Sequence, residues 1–217
     1  MLMLTLVRHG NTDANNERWL QGHIDTVLNQ NGLMQAELCS KRLQHEHYDH
    51  VYCSDLERCK QTTAAIVKHH PQVSVDYISL LRERDFGKLS GKPLAFLTTE
   101  SQRQKLSMNN FISQHGGESE EVFKERIITA WKYIIDDATS RRFKSVLVIT
   151  HGGPLKYLSM YWLENGFQPA EDIAVAPVAQ GNTAVTRVNY RERKIDVFNS
   201  TSHLKDLYSN QPPPPAV

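Results

Sequence analysis

Two histidines stand where a side chain can meet a ligand: His9, in Leu6-Val7-Arg8-His9-Gly10, and His151, in Ile149-Thr150-His151-Gly152-Gly153. Each follows an apolar run of strand character and precedes glycine. In open α/β sheets, ligands gather beyond the carboxyl ends of the strands, where loops and helix N-termini converge. Both imidazoles are therefore expected on one edge of one sheet. Gly10, Gly152 and Gly153 would let backbone N–H groups approach a ligand with no Cβ in the way. Arg8 is tied to His9 by the chain, and Arg58 falls in the first turn of a helix entered from another strand end. Guanidinium forks match phosphate oxygens in pairs. Taken singly, a strand-end glycine is turn punctuation and an arginine at a helix start is a solvated charge. As a set converging on one edge, they make a phosphoryl pocket.

The elements that must position these groups follow from periodicity. Residues 2–7 read as a buried strand, followed by a polar loop with turn formers at Gln21-Gly22 and at 29–32. A helix follows with Leu33, Ala36, Cys39 and Leu43 at helical spacing. Residues 50–53 read as a second strand, and 56–68 as a helix with Leu56, Cys59, Thr63, Ile66 and Val67 inward and Ser54 or Asp55 as N-cap. A third strand is expected at 73–75. Residues 88–117 lack periodicity and read as a capping insertion with room for one short helix. Residues 119–138 are strongly amphipathic, with Phe123, Ile127, Trp131, Ile134 and Ala138 on one face and Glu120 and Glu121 at the positive end of the helix dipole.

The clearest strand is 145–150, running into His151, with Pro154 in the first turn of a helix that carries Leu155, Leu158 and Trp162. Residues 183–188 and 194–198 form a hairpin, with an edge free to pair in a dimer or to be covered within the monomer. Strands alternating with helices predict an α/β fold, a three-layer α/β/α sandwich with a mostly parallel central sheet. The reading is a single domain over 1–210, followed by a disordered proline-rich tail at 211–217.

The bulk composition narrows the function. The chain has 217 residues, 40% of them hydrophobic and 23% charged, with a formal net charge of +1. Nothing in that balance offers an electrostatic footprint for nucleic acid or an anionic membrane, so a bound anion must be held by a few placed groups. Cys39, Cys53 and Cys59 form no CxxC pair and suit a reducing compartment as small apolar fillers. No window reaches the length of a membrane span and no leader is read at the N-terminus, so the expected location is cytoplasmic. His45, His47, His50, His69 and His70 have no cysteine or carboxylate at ligand spacing and read as incidental surface residues.

Five motifs in order then carry a resemblance. They are Arg8-His9-Gly10-Asn11-Thr12; Ser54-Asp55-Leu56-Glu57-Arg58 with Gln61-Thr62; 81–87, Leu-Arg-Glu-Arg-Asp-Phe-Gly; Gly116-Gly117-Glu118-Ser119; and 148–153. From residue 4 to about His203 the chain resembles the histidine phosphatase (phosphoglycerate-mutase-like) superfamily. The resemblance implies that His9 attacks phosphorus and that Arg8, Arg58 and His151 hold the phosphoryl oxygens. It implies that Glu83 gives a proton to the leaving alkoxide and later takes one from water. The implied phosphate and substrate contacts are Arg8, Asn15, Gln21, Gly22, Arg58, Arg84, His151 and Gly152. No metal or other cofactor is called for, because the arginines supply the positive charge.

Asn11, Cys53, Thr63, Ser90 and His115 depart from residues usual in the family. They bear on the subfamily and remove no catalytic group. The implied partner is a small phosphomonoester, with α-ribazole 5′-phosphate among the candidates and hydrolysis as the reaction. The alternatives are phosphoryl transfer of the cofactor-dependent mutase type, and a non-catalytic phosphate-binding domain. Residues 96–110 carry only Arg103 and Lys105 as cations, and Gly153 stands where mutases tend to have asparagine, which favours hydrolysis. A monomer and a homodimer are both compatible with the sequence.

Overall fold

Near-continuous burial along β1, β2 and β4 places these strands at the centre of the sheet. The computed structural model describes residues 1–208, so the tail expected at 211–217 lies outside the described residues. In chain order the elements are β1 (Met3–Arg8), α1 (Asp13–Glu17), α2 (Gln30–Leu43), β2 (His50–Cys53), α3 (Glu57–Val67), β3 (Val75–Tyr77), α4 (Leu94–Arg103), α5 (Met108–Gln114), α6 (Glu120–Ser140), β4 (Ser145–Thr150), α7 (Gly152–Glu164), β5 (Gln168–Pro169), β6 (Val185–Asn189), β7 (Lys194–Ser200) and α8 (Lys205–Tyr208). The seven strands form one sheet in the order β3-β2-β4-β1-β6-β7-β5. The pairs β1–β4, β2–β3, β2–β4 and β5–β7 are parallel; β1–β6 and β6–β7 are antiparallel.

Both faces of the central strands are buried, as a mostly parallel sheet requires. Leu4 and Leu6 of β1, Tyr52 of β2 and Val146 and Val148 of β4 point to one face, against Ile127, Trp131 and Ile134 of α6 and Leu155, Leu158 and Trp162 of α7. Val7, Val51, Cys53, Leu147 and Ile149 point to the other, against Cys39 and Leu43 of α2 and Cys59 and Ile66 of α3. The three layers expected from the sequence are these. Burial raises the thiols of Cys39 and Cys53 to about 12, so they remain protonated apolar filling. Among the described residues no helix is long and apolar enough to cross a membrane.

Several local expectations are corrected. Residues 29–32 are no turn: Asn29 accepts the Gly32 N–H and caps α2. Leu33 is 48% exposed, because the buried face of α2 runs through Ala36, Cys39 and Leu43. Neither Ser54 nor Asp55 caps α3, whose N-cap residue is Leu56 with no side-chain bond. Their side chains are engaged elsewhere, Ser54 by His151 and Asp55 by Arg82. Asp25, from a distant loop, accepts the Glu57 N–H at 2.6 Å instead. The third strand sits two residues later than expected, paired in parallel with β2.

Residues 88–117 contain two helices, α4 and α5, where one short helix was expected. A separate apolar cluster of Leu20, Leu89, Leu97, Phe111 and Ile112 holds them together. Its apolar positions are split between short helices and a loop, so no single window shows a period. The late hairpin is not a free edge at β6, which pairs with β1 in the interior of the sheet.

Candidate active site

Parallel pairing of β1 and β4 decides where the histidines emerge. Arg8 lies opposite Thr150 in the register, so His9 and His151 leave the sheet side by side. The His9 N–H donates to the Thr150 carbonyl at 3.0 Å. The two rings meet edge to face with centroids 5.1 Å apart. His9 Nδ1 lies 2.7 Å from the Gly10 carbonyl, which can only accept, so Nδ1 carries the proton and Nε2 keeps a lone pair. His151 has the opposite assignment. Arg58 Nε donates to its Nδ1 at 3.2 Å, leaving the proton on Nε2, which donates to Ser54 Oγ at 2.8 Å.

The arginines are held by backbone carbonyls. Arg58 donates to Gly22 O and Ile24 O, both at 2.9 Å, and Arg8 donates to Gln180 O at 2.5 Å. Arg8 is 7% exposed and Arg58 0%. Among the described residues neither has a carboxylate in ion-pair contact, and the buried Arg8 Nε has no hydrogen-bond partner. Two buried guanidinium groups without a counter-ion are costly, and the cost is relieved when an anion enters. Burial lowers both below their usual range, with Glu83 pulling the other way. Burial and then the nearby Arg58 and Arg8 hold His9 well below the ordinary imidazole range, and burial and Arg58 do the same to His151.

Both histidines should therefore be neutral at pH 7 and through the ordinary titration range. Their folded values are lowered, so the stability they contribute is full above the unfolded value of about 6.5 and is lost as pH falls from there towards the folded values. Imidazole resonances followed by NMR should show no midpoint near 6.5 for either residue. A normal midpoint at His9 would contradict the buried, doubly cationic setting.

Glu83 follows the short helical turn Ser79–Leu81. Its Oε1 accepts the Arg84 N–H and its Oε2 accepts the Gly153 N–H, each at 2.9 Å. This seats the carboxyl group against the first turn of α7, two residues from His151. Among the described residues neither Arg82 nor Arg84 forms a salt bridge with Glu83. Arg82 grips Asp55 through two bonds of 2.7 and 2.6 Å. Arg84 donates to Glu118 O and to Asn109 Oδ1, so its guanidinium ties the Glu83 segment to the 107–118 region. A Cβ on Gly153 would collide with Glu83 Oε1, so glycine at 153 is what lets the carboxyl group lie there.

Comparison with known proteins identifies the family. The model of the histidine phosphatase superfamily (branch 1) matches residues 4–201. The chain belongs to that family. It is 31% identical to a probable phosphatase of Schizosaccharomyces pombe, covering 92% of this chain and 94% of the relative. It is also 31% identical to a broad-specificity phosphatase of Saccharomyces cerevisiae, over 95% and 89% of the two chains. A solved phosphoglycerate mutase of Bacillus anthracis superposes with a TM-score of 0.79 at 21% identity, over 94% and 95% of the chains; it shares the fold.

The remaining expected contacts of this histidine phosphatase fall into a network around its two rings. Gln21 Oε1 accepts from Thr12 and Thr26, and Asn15 Oδ1 accepts from Thr12 and Asn182. Gly22 contributes its carbonyl, which holds Arg58. A Cβ on Gly152 would come within 3.4 Å of the Arg8 guanidinium. Gly10 differs from expectation: its N–H is taken by Thr62 Oγ1 at 3.0 Å, and a Cβ there would press on the Gly32 carbonyl at 2.6 Å. It serves close packing of β1 against α2 and offers no free N–H.

Sequence reasoning missed Ser54 as a partner of His151, and it missed Asn182, which donates to the His9 carbonyl at 3.0 Å. It also missed Gln180, whose carbonyl holds Arg8 and whose buried Nε2 has no hydrogen-bond partner among the described residues. The Ser54 signal was present, since the motif quoted it at a strand end. Asn182 and Gln180 lie in an aperiodic loop with no such signal. Two departures from the family pattern meet: Thr63 Oγ1 donates to Cys53 Sγ at 3.1 Å. Among the described residues no group of three or more His, Cys, Asp or Glu is set to hold a metal ion.

Proposed function

We propose that this phosphatase hydrolyses small phosphomonoesters through a covalent phosphohistidine on His9. The observation that carries the reading is the pair of buried guanidinium groups with no carboxylate in ion-pair contact among the described residues, beside an imidazole whose Nε2 lone pair is free. Nε2 attacks phosphorus in line with the leaving oxygen; the P–N bond forms as the P–O bond breaks. Arg8 and Arg58 offset charge on the three equatorial oxygens. Glu83, protonated at the start, gives its proton to the leaving alkoxide. Water then attacks the phosphohistidine, Glu83 takes a proton back, and phosphate departs from a regenerated neutral His9. A contact from His151 to the phosphoryl group requires its Nε2–H to exchange Ser54 for phosphate oxygen. In this reading Asn15, Gln21, Gly22 and Gly152 contact the phosphate or substrate, and Arg84 acts from the cap side.

Residues 1–210 are read as one unit, with 88–117 as its cap. Hydrolysis is favoured over mutase chemistry because the central part of the cap, residues 96–110, has only Arg103 and Lys105 as cations for a second phosphate. Arg103 pairs with Glu100 at 2.7 Å, and Arg84 is engaged by Glu118 and Asn109. An asparagine at 153, frequent in mutases, would displace the Glu83 carboxyl group from its seat. The test is a substrate panel including α-ribazole 5′-phosphate, phosphoserine and 3-phosphoglycerate, scored for free phosphate and for isomerised product. Free phosphate from several members with no isomer is the expected result. Isomerised phosphoglycerate as the main product would establish the mutase reading, and inactivity on every member would leave phosphate binding alone.

A further inference from the structure

The segment that carries Glu83 has no regular secondary structure of its own beyond the helical turn before it, yet a proton donor must hold one place. Its backbone is gripped by one side chain of α6. Arg126, on the buried side of α6, donates through Nη1 to Leu80 O at 2.8 Å and Arg82 O at 2.9 Å, and through Nη2 to Glu83 O at 3.1 Å. Its remaining two N–H groups reach both carboxylate oxygens of Glu118, each at 2.7 Å. A guanidinium has five N–H donors, and all five are used.

Glu118 in turn accepts the Asp85 N–H at 2.8 Å through Oε2, and its backbone carbonyl takes two bonds from Arg84. His23 Nε2 lies 2.9 Å from the Glu83 carbonyl and adds a further donor. The Arg126 and Glu118 side chains are 15% and 16% exposed, so solvent screens the pair only in part. Every backbone group from 80 to 85 that meets this pair is thereby fixed relative to α6. The carboxyl group of Glu83 projects the other way, onto the N–H of Gly153.

We propose that Arg126, fixed by Glu118, is the positioning residue for the proton donor: it sets the backbone from which Glu83 reaches the leaving group. This rests on the proton-donor reading of Glu83. The Glu118-Ser119 motif thereby has two separate tasks, since Ser119 caps α6 and Glu118 orients Arg126. Lysine at 126 keeps the charge but places it at one point, which cannot serve three carbonyls and a carboxylate together.

The experiment compares Arg126→Lys with wild type on alkyl and aryl phosphates, with Glu83→Gln and the double variant alongside. Arg126→Lys should lower kcat on alkyl phosphates by about 10-fold or more and on aryl phosphates by less than about 3-fold, with KM and inorganic phosphate inhibition little changed. In the Glu83→Gln background it should cost almost nothing further, because both act through one proton transfer. Equal losses on both substrate classes, adding to those of Glu83→Gln, would overturn the assignment and leave Arg126 a structural residue. Unselective losses in Glu83→Gln itself would bring down the proton-donor reading and this inference with it. A selective Glu83→Gln beside an unselective Arg126→Lys overturns this inference alone. Should Arg126→Lys fail to fold, Glu118→Gln gives the same readout at smaller amplitude, and its lack of selectivity would count equally against the proposal.

Discussion

Replacing His9 with alanine is expected to lower turnover by at least about 10^4-fold, the scale seen when a covalent nucleophile is removed from a preorganised site. The reason lies in how singular the position is. His9 Nε2 is a bare lone pair because the Gly10 carbonyl holds the ring proton on Nδ1, whereas the neighbouring His151 has both nitrogens engaged by Arg58 and Ser54. No second imidazole can take over without breaking those bonds. Cys59 lies 3.4 Å from His151 Nε2, but burial pushes its thiol well above the ordinary range, so it cannot substitute as a thiolate.

The same variant should still bind inorganic phosphate, because Arg8 and Arg58 keep their carbonyl supports. Rapid quenching of wild type with labelled substrate should leave label on the protein that is labile in acid and survives alkali, as a phosphoramidate does. An acid-stable label, or a His9→Ala enzyme with near-normal activity, would end the covalent reading.

Glu83→Gln is the second large effect, and its size should depend on the leaving group. With alkyl phosphates the departing alkoxide needs a proton, and losing the general acid should cost about 10^2- to 10^4-fold. With aryl phosphates the phenolate leaves unaided, and the loss should stay within about 10-fold. Both Glu83 oxygens accept a backbone N–H, one from Arg84 and one from Gly153. A glutamine amide presents an NH2 to one of these donors, so part of any loss on aryl substrates reflects a displaced side chain.

Gly153→Ala separates the two contributions. Its Cβ would evict the carboxyl group from the α7 N-terminus while leaving the acid chemically intact. It should reproduce an alkyl-selective loss with a small drop in unfolding midpoint, since the carboxyl group that must yield ends a flexible side chain while the Cβ also presses on the buried Phe123 ring at 3.1 Å. Losses independent of the leaving group in both variants would remove Glu83 from the proton-transfer role.

Sequence alone determined the layer architecture and the meeting of the two histidines. Both follow from short-range physics. An apolar run ending in His-Gly is a strand end whatever surrounds it, and β1, β4, α6 and α7 were legible because their apolar residues recur at the periods of strand and helix. Arg58 was legible from its place in the first turn of a helix entered from a strand end, whereas only the resemblance to the family named Glu83, which no periodicity singles out.

Tertiary structure alone decided what each polar group does once the chain is closed. Ser54 and Asp55 looked like helix caps, but folding brought a histidine and an arginine from elsewhere in the chain to claim them, and a long-range charged or buried partner outcompetes a local cap. Gly10 looked like an anion-binding glycine, yet the approach of Gly32 turned it into a packing contact. The grip of Arg126 on residues 80–83 spans more than forty positions in the chain, and Asn182 reaches His9 across 173. Hydrogen bonds of that span leave no trace in local spacing, because only the closed sheet brings donor and acceptor within reach.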